Sequence, residues 1–392
     1  MLLMKTHDNL TISSNMRVSI PFNKPYLTGY ENHYLSMVFS SGKIAGGDFF
    51  SKRCEQFFNK QFGFRNSLLV TSCTHALEMA AMLMHISPGD EVILPSYTFV
   101  STANAFMMFG AKAVFVDSRE DHPGIDEDKI EELITPRTKA IVVVHYAGVA
   151  CDMDKVNDIA RRHNLYVIED AAHGIDAYYK GKPLGSVSDM STFSFHETKN
   201  VTSGEGGLIN VSNEELLGKA EIIREKGTDR TKFLRGEIDK YSWVGIGSSY
   251  VLSEMNAAFL LAQLEHLEEI QETRVRIWSR YAEALADLER DGLVRLPVIP
   301  DYASNNGHIF YLVLRDELQR DAFIRYLKRE DIAATFHYAS LHASKFFRPQ
   351  HDGRDLPNSD RYSDCLIRLP LFCELTEKKQ DRVIDAVRNF FI

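Results

Sequence analysis

The 392-residue sequence is poor in cysteine and has no long apolar run. Its five cysteines are odd in number and form no Cys-x-x-Cys pair, which excludes a disulfide framework and indicates a reducing compartment. No apolar stretch reaches the roughly 18 residues that a membrane span needs, and residues 1–8 lack the apolar core of a signal peptide. We therefore expect a cytoplasmic protein that does not bind membranes.

The sequence also lacks the excess of basic residues that nucleic-acid-binding proteins carry. Forty-five Lys and Arg face 54 Asp and Glu, so the formal net charge is -9. An acidic chain without blocks of like charge argues against binding to nucleic acid or to a membrane surface. Apolar residues make up 44% of the chain, and a globular protein of this length and composition can bury a large core in two or three domains.

Short apolar runs alternate with helical segments from about residue 68 onward. Apolar runs without internal alternation indicate strands that are buried on both faces, and helical spacers are typical of crossover connections. The pattern predicts an α/β fold with a mainly parallel central sheet. The predicted strands are 67–70, 91–94, 113–116, 140–144, 165–168, 190–195 and 207–211. The predicted helices between them are 74–86, 99–109, 126–134 and 153–163.

The last hundred or so residues follow a different pattern. A long helical stretch over about 252–289 ends before Gly292, and an alternating strand and two helical segments follow it. These three segments are 308–314, 317–329 and 376–390. The predicted division is a flexible arm over 1–16, a large α/β domain over 17–289 and a small α+β domain over 290–392.

Common nucleotide and metal signatures are absent. The turn after the first predicted strand has neither a GxGxxG pattern nor a P-loop lysine, which argues against a nicotinamide-dependent enzyme. His196-Glu197 opens like a zinc-protease motif, but Asn200 stands where the second histidine is required, so we expect no metal. The same first turn, 71–76, places hydroxyls and backbone N–H groups at a helix start, which suits a phosphate. A helix cap explains that segment equally well.

An acidic and a basic side chain follow two later predicted strands. Asp170 comes at the carboxyl end of its strand, where open α/β sheets bind ligands. Lys199 leaves an aromatic strand and precedes a glycine-rich segment at 203–207. Partial desolvation there lowers the pKa of a lysine and makes the amine a nucleophile toward a carbonyl. A helix cap for Asp170 and a surface position for Lys199 are the structural alternatives.

Together these groups match the needs of pyridoxal 5′-phosphate (PLP). That cofactor requires a phosphate site, an acid that keeps its pyridine nitrogen protonated, a lysine that forms an imine and an aromatic cover for the ring. The turn 71–76, Asp170 and Lys199 are candidates for the first three. The aromatic residues of 97–99 are candidates for the fourth.

At these positions the chain resembles the sugar aminotransferase family of PLP enzymes, which has the aspartate aminotransferase fold (fold type I). The resemblance extends from about Ile20 to the C-terminus, and an ordered set of four motifs carries it. The motifs are 71–78, 95–104, 169–173 and 193–200. It implies PLP as the cofactor, pyridoxamine 5′-phosphate (PMP) as its intermediate form, and a homodimer with the active site at the subunit interface.

The resemblance also implies roles for individual residues. Lys199 is expected to form the Schiff base and to move the proton between substrate and cofactor, and Asp170 to pair with the pyridine nitrogen. The other expected cofactor contacts are Phe99 on the ring, His173 near the phenolic oxygen, Cys73, Thr74 and Ser194 at the phosphate, and Ser249 at the phosphate of the partner subunit, where many relatives have Asn. The expected substrate-binding residues are Arg230, Tyr241, His337, Tyr338 and His342, although a solvated mixed-charge loop explains much of 224–241 equally well.

The implied reaction moves the amino group of L-glutamate to C4 of a dTDP-4-keto-6-deoxyhexose. Segments 145–151, 220–228 and 239–241 are similar to members that form the galacto product. Lysine at position 199 argues against the relatives that perform C3 dehydration, because those carry histidine there. Amination to the gluco epimer, amination at C3 of a 3-keto sugar, and a non-catalytic cofactor- or sugar-binding regulator remain alternatives.

Overall fold

The computed structural model describes residues 20–391, so the predicted arm over 1–16 lies outside the described residues. The strands are β1 Ser67–Val70, β2 Glu91–Pro95, β3 Lys112–Val116, β4 Thr138–Val144, β5 Tyr166–Asp170, β6 Tyr178–Tyr179, β7 Lys182–Pro183, β8 Met190–Ser194, β9 Gly207–Val211, β10 Tyr311–Val313, β11 Thr335–Phe336 and β12 Leu366–Arg368. The helices are α1 Glu31–Ser41, α2 Phe49–Phe62, α3 Cys73–Leu83, α4 Val100–Met107, α5 Met153–His163, α6 Glu214–Arg224, α7 Arg230–Leu234, α8 Glu254–Leu264, α9 Leu267–Arg290, α10 Glu317–Arg329, α11 Pro357–Cys365 and α12 Glu377–Phe391.

The central sheet has seven strands in the order β1-β9-β8-β5-β4-β2-β3. Only β9 runs against the others, since it pairs antiparallel with both β1 and β8. The remaining pairs are parallel, which confirms the predicted mainly parallel sheet. The carboxyl ends of the parallel strands therefore meet along one edge, and the amino end of β9 joins them there.

Helices cover both faces of this sheet, as the unbroken apolar runs predicted. Val92 and Leu94 of β2 pack in one buried cluster with side chains of α3, α4 and α6. Ile93, which points to the opposite face, packs with side chains of α5. Helices α2 and α8 cover the β1-β9-β8 end of that second face. Because both faces are buried, the edge formed by the strand ends is the place left for a ligand.

A second, three-stranded sheet in the order β10-β12-β11 lies in the C-terminal part of the chain. With α10, α12 and the later turns of α9 it encloses a separate apolar cluster. We propose that these elements are the small domain expected from residue 290 onward. Ile20 is buried in the same cluster, and its backbone hydrogen-bonds to Asp331 and Ala333.

Two predicted helices differ from the structure. Residues 126–134 form two 3₁₀ turns, Glu127–Lys129 and Glu131–Leu133, because the Asp126 side chain caps Asp128 N–H and Glu127 is fully buried. The single helix predicted over 252–289 is divided into α8 and α9. The break falls at His266, whose backbone leaves the helical region (φ −115°, ψ 20°). In the described chain, no helix combines the length and apolar character that crossing a membrane requires.

Candidate active site

A cavity of about 940 Å³ opens at the edge where the parallel strands end. One wall comes from the segments that follow β1, β2, β5 and β8, and the other from the small sheet and its neighbouring loops. The predicted site residues in its lining are Cys73, Thr74, Phe99, Asp170, His173, Ser194, Lys199, His337 and Tyr338. The fold thus brings together side chains that are up to 265 positions apart in the chain (73 to 338).

Asp170 ends β5, and its carboxylate accepts hydrogen bonds from a hydroxyl, a backbone N–H and, at 3.9 Å, the thiol of Cys73. Thr102 Oγ1 donates to one oxygen at 2.8 Å, and the backbone N–H of Ala172 donates to the other at 3.2 Å. Burial raises the pKa of Asp170, whereas these hydrogen bonds and the charge of Lys199 act in the opposite direction. The protonated pyridine nitrogen of a bound PLP would give this buried carboxylate the close cationic partner that stabilises its charged form.

Lys199 lies in the turn that follows β8. The turn is closed by a backbone hydrogen bond of 2.9 Å from Lys199 N–H to the carbonyl of His196. Burial lowers the pKa of the Lys199 amine to about 8, and the charge of Arg368 acts in the same direction. A substantial fraction of the amine is therefore neutral at mildly alkaline pH, as a nucleophile toward an aldehyde must be.

Two helix N-termini at the cavity provide donors for a phosphate. Cys73 and Thr74 begin α3, and Ser101 lies in the first turn of α4 with its Oγ 2.8 Å from Thr74 Oγ1. Unpaired N–H groups and the positive end of the helix dipole favour an anion at such a position. Gly207, at the start of β9, packs so closely on this turn that an added Cβ would lie 2.5 Å from Cys73 N. Ser194 at the end of β8 completes this side of the lining.

An uncovered aromatic ring faces the cavity. Phe99, just before α4, is 55% exposed, whereas most large apolar side chains near it are buried. Its ring centroid lies 6.1 Å from that of Tyr338, which comes from the opposite wall. A flat, apolar heterocycle can stack on such a ring without displacing any protein group.

The structure assigns a tautomer to His173. Its Nδ1 accepts the backbone N–H of Ala147 at 3.2 Å, and burial holds the pKa of His173 well below its usual range. The neutral ring therefore carries its proton on Nε2, which lies 3.5 Å from the hydroxyl of Tyr338. A hydrogen-bond donor is thus available at His173 for a phenolic oxygen.

The remaining predicted residues lie outside this lining. His342 is buried behind it, with Nδ1 2.7 Å from Ser96 Oγ. Arg230 pairs with Glu225 at 3.3 Å, and Tyr241 and Ser249 are exposed in the segment between α7 and α8. These three side chains therefore do not reach the cavity of their own chain.

Comparison with known proteins places the chain in a family. The sequence model that describes the DegT/DnrJ/EryC1/StrS aminotransferase family matches residues 25–388. The chain belongs to this family. This aminotransferase is 35% identical to an uncharacterized protein of Methanocaldococcus jannaschii, over 86% of this chain and 88% of that protein.

Solved structures of similar proteins agree in fold and cofactor. DesV of S. venezuelae is 30% identical, with a TM-score of 0.86 over 95% of this chain and 98% of that one. A putative sugar aminotransferase of Streptococcus pneumoniae, solved in PLP and PMP forms, is 25% identical, with TM-scores of 0.87 and 0.88 over 95% of this chain and 98% of each. The aminotransferase thus has the PLP-dependent fold that the sequence predicted. Its cofactor is PLP, with PMP as the intermediate form.

Thr102 and Arg368 are among the site residues that the sequence analysis did not name. Thr102 carries no signal of its own, because a threonine in the first turn of a helix is common and only the fold places it on Asp170. Arg368 does carry one, since it is a lone basic residue in the apolar run 366–372. Such a residue in a strand that packs on a core is seldom buried without a partner or a ligand.

We expect covalent attachment of PLP to the cofactor-free enzyme to accelerate as the pH rises and to level off above about pH 8. Only the neutral amine attacks the aldehyde, and burial lowers the pKa of Lys199 to about 8. Timed borohydride trapping followed by mass spectrometry of the peptide that contains Lys199 measures the rate. A rate that keeps climbing toward the ordinary lysine pKa of about 10.4 would contradict the lowered value.

Proposed function

We propose that this aminotransferase is a dTDP-4-amino-4,6-dideoxygalactose transaminase. In this reaction L-glutamate gives its amino group to C4 of dTDP-4-keto-6-deoxy-D-glucose, and the products are dTDP-4-amino-4,6-dideoxy-D-galactose and 2-oxoglutarate. The observation that carries the transamination is the meeting of Lys199 and Asp170 in one cavity. The resemblance of segments 145–151, 220–228 and 239–241 to members that form the galacto product supports the choice of sugar.

Each side chain of the cavity has a distinct task in this proposal. Bound PLP supplies an electron sink for the carbon that loses or gains a proton. Lys199 holds the cofactor and transfers that proton through its amine, while Asp170 keeps the pyridine nitrogen charged. The N-termini of α3 and α4 hold the phosphate, Phe99 covers the ring, and His173 donates from Nε2 to the phenolic oxygen.

The charge of the cavity suits anionic reactants. Among the described residues, Lys199, Arg274 and Arg368 line it against two carboxylates, Asp170 and Glu205. Its volume of about 940 Å³ lies at the upper end of the roughly 300–1,000 Å³ typical of ligand sites. Such a space accommodates a cofactor together with a sugar or an amino acid, and the positive lining favours their phosphate and carboxylate groups.

We infer that the enzyme works as a homodimer with the site at the subunit interface. Trp243 and Ile246 are each 80% exposed, and Phe99 and Val100 beside the cavity are also uncovered. Apolar surface of this kind favours association. Ser249 and Tyr241 belong to the same segment as Trp243, and Arg230 lies on α7 just before it. A partner that covers this region would bring these residues to a neighbouring cavity. Light scattering is expected to give twice the chain mass of 44.6 kDa.

The function is tested in two steps. L-Glutamate should bleach the visible band of the PLP enzyme, and dTDP-4-keto-6-deoxyglucose should restore it. NMR of the isolated product then gives the configuration at C4, because an axial amine has a small H3–H4 coupling and an equatorial amine a large one. Detection of the gluco epimer or of a C3 amine would contradict the proposed product. A protein that binds PLP but whose visible band is never bleached would instead be a regulator.

A further inference from the structure

We propose that His308 accepts a hydrogen bond from the C3 hydroxyl of the keto sugar and thereby selects sugars that carry this hydroxyl. The proposal rests on the proposed function, in that it takes a 4-keto-6-deoxyhexose as the sugar that receives the amino group. His308 lies just before β10, lines the cavity and is 7% exposed. Its role depends on which ring nitrogen carries the proton and on which nitrogen reaches the cavity.

A chain of buried side-chain amides places the proton of His308 on Nδ1. Gln271 donates from Nε2 to the carbonyl of Ile175 at 3.4 Å, so its Oε1 is an acceptor. Asn200 donates from Nδ2 to this Oε1 at 2.8 Å and to the carbonyl of Asn306 at 2.9 Å. The Oδ1 of Asn200 is therefore an acceptor too, and it lies 2.6 Å from His308 Nδ1. Nδ1 must be the donor in this contact.

The other ring nitrogen of His308, Nε2, is consequently an acceptor. Burial holds the pKa of His308 well below its usual range, and His173 and Lys199 act in the same direction, so the ring is neutral. No group of residues 20–391 forms a hydrogen bond with Nε2. Protein does not enclose this nitrogen, in contrast to Arg368 Nε, so Nε2 faces the cavity that the ring lines. A polar atom of this kind is left for a ligand that carries an O–H or N–H group.

His173 and His308 present opposite hydrogen-bonding groups to the same cavity. Their ring centroids are 4.3 Å apart, and no hydrogen bond joins the two rings. His173 offers Nε2–H, because its Nδ1 accepts the backbone N–H of Ala147, whereas His308 offers the lone pair of Nε2. In the proposed function the phenolic oxygen of PLP takes the donor of His173. The acceptor of His308 remains for the substrate.

The position and the neutrality of His308 favour the C3 hydroxyl over other groups of the two substrates. The charge of Lys199 contributes to the lowered pKa of His308, so the ring lies near the carbon that reacts. In dTDP-4-keto-6-deoxyglucose, C3 is the only neighbour of C4 that carries a hydroxyl. Carboxylates and phosphates have no proton to donate to Nε2. A buried hydroxyl without an acceptor weakens binding, so Nε2 favours sugars whose C3 hydroxyl it can pair with.

The test combines one change in the protein with one change in the sugar. His308→Asn keeps an N–H group near the position of Nδ1 and removes the acceptor at Nε2, and the 3-deoxy analogue of the keto sugar removes the hydroxyl. Recovery of the visible band after bleaching by L-glutamate measures kcat/KM of the sugar half-reaction. For the unmodified enzyme we expect this constant to be about 10- to 100-fold lower with the 3-deoxy analogue.

The variants separate recognition of the hydroxyl from a structural role. His308→Asn should lower kcat/KM for the full sugar by about the same factor and change that for the 3-deoxy analogue by less than about twofold, because the contact is already absent. His308→Gln, whose amide oxygen reaches near the position of Nε2, should recover part of the loss. Bleaching by L-glutamate should be unchanged in both variants. His85→Asn, the same substitution at an exposed histidine outside the cavity lining, should resemble the unmodified enzyme.

Calorimetry gives a readout that does not depend on turnover. The PLP form has no amino group to transfer, so the Kd of a keto sugar for this form reports binding alone. We expect the Kd values of the two sugars to show the same pattern in the unmodified enzyme and in His308→Asn. If neither variant folds, the unmodified enzyme should still bind the 3-deoxy analogue at least about tenfold more weakly than the full sugar.

Opposite results would overturn the assignment. Equal constants for the two sugars in the unmodified enzyme, or equal losses for both sugars in His308→Asn, would remove His308 from recognition of the hydroxyl. A loss confined to bleaching by L-glutamate would place His308 at the amino donor instead. If L-glutamate never bleached the unmodified enzyme, the proposed function would fail, and the Kd values would still decide whether His308 contacts the C3 hydroxyl.

Discussion

Replacing Lys199 with alanine is expected to lower turnover by at least on the order of 10³-fold while the protein still folds and binds PLP. The amine has two tasks, the covalent hold on the cofactor and the proton transfer, and among residues 20–391 no other lysine lines the cavity. Folding should survive because Lys199 forms no side-chain hydrogen bond or ion pair within the described chain. Steady-state assays measure the loss, and borohydride trapping with peptide mapping should find no adduct at position 199.

Lys219 provides a matched control. Burial also lowers the pKa of Lys219, but this residue lies on α6 away from the cavity and contacts His85. Lys219→Ala should therefore keep both turnover and the adduct at Lys199. Small amines added to Lys199→Ala should restore part of the activity, with more basic amines restoring more, because they replace the missing proton carrier. Near-normal turnover of Lys199→Ala without added amine would show that another group is the nucleophile.

The second large effect is expected for Asp170→Asn. The amide keeps the shape of the carboxylate and its contact with Thr102, but it cannot stabilise a protonated pyridine nitrogen. Loss of one partner of a buried charge pair costs about 2–4 kcal/mol, which corresponds to a roughly 30- to 1,000-fold loss in turnover. PLP retention during dialysis should fall as well. Absorbance of the bound cofactor and steady-state rates measure the two effects.

Substitutions at Thr102 separate the effect of the Asp170 charge from the effect of the orientation of its carboxylate. Thr102→Val removes the 2.8 Å hydrogen bond without changing the side-chain volume, and Thr102→Ser keeps the hydroxyl. We expect the valine variant to show a smaller loss than Asp170→Asn, about tenfold, as for one hydrogen bond to a charged group, and the serine variant to resemble the unmodified enzyme. Equal turnover of Asp170→Asn and the unmodified enzyme would rule out a role for the Asp170 charge.

The strands of the central sheet could be predicted because burial on both faces leaves an unbroken apolar run. Each of the seven predicted strands lies within two residues of the observed bounds at both ends. Their order and the reversed direction of β9 could not be predicted, since an apolar run does not specify its neighbours. The prediction of a helix over 126–134 was wrong because the Glu127 side chain is turned inward, where it accepts a hydrogen bond from Asp152 N–H. The local sequence pattern does not contain this tertiary contact.

The site was predictable to the extent that it depends on where strands end. Asp170 ends β5 and Lys199 follows β8, both strands of the parallel part of the sheet, and the topology alone brings them to one edge. Their individual roles stay predictions. Thr102 and Arg368 reach the cavity from a helix and from the small sheet. Only the assembled fold shows that Thr102 holds Asp170 and that Arg368 lines the cavity with its Nε buried and without a hydrogen-bond partner in residues 20–391.

The wall that carries Arg368 is built from both ends of the chain. Ile20 is hydrogen-bonded to the loop after α10, Phe22 lies under the guanidinium of Arg368, and Asn23 donates to the carbonyl of Glu197 at 3.3 Å. A chimera made with a relative by a single crossover would therefore combine half of this wall from each parent. Transplanting this wall intact between family members will require two crossovers, so that residues near 20 travel together with those near 368.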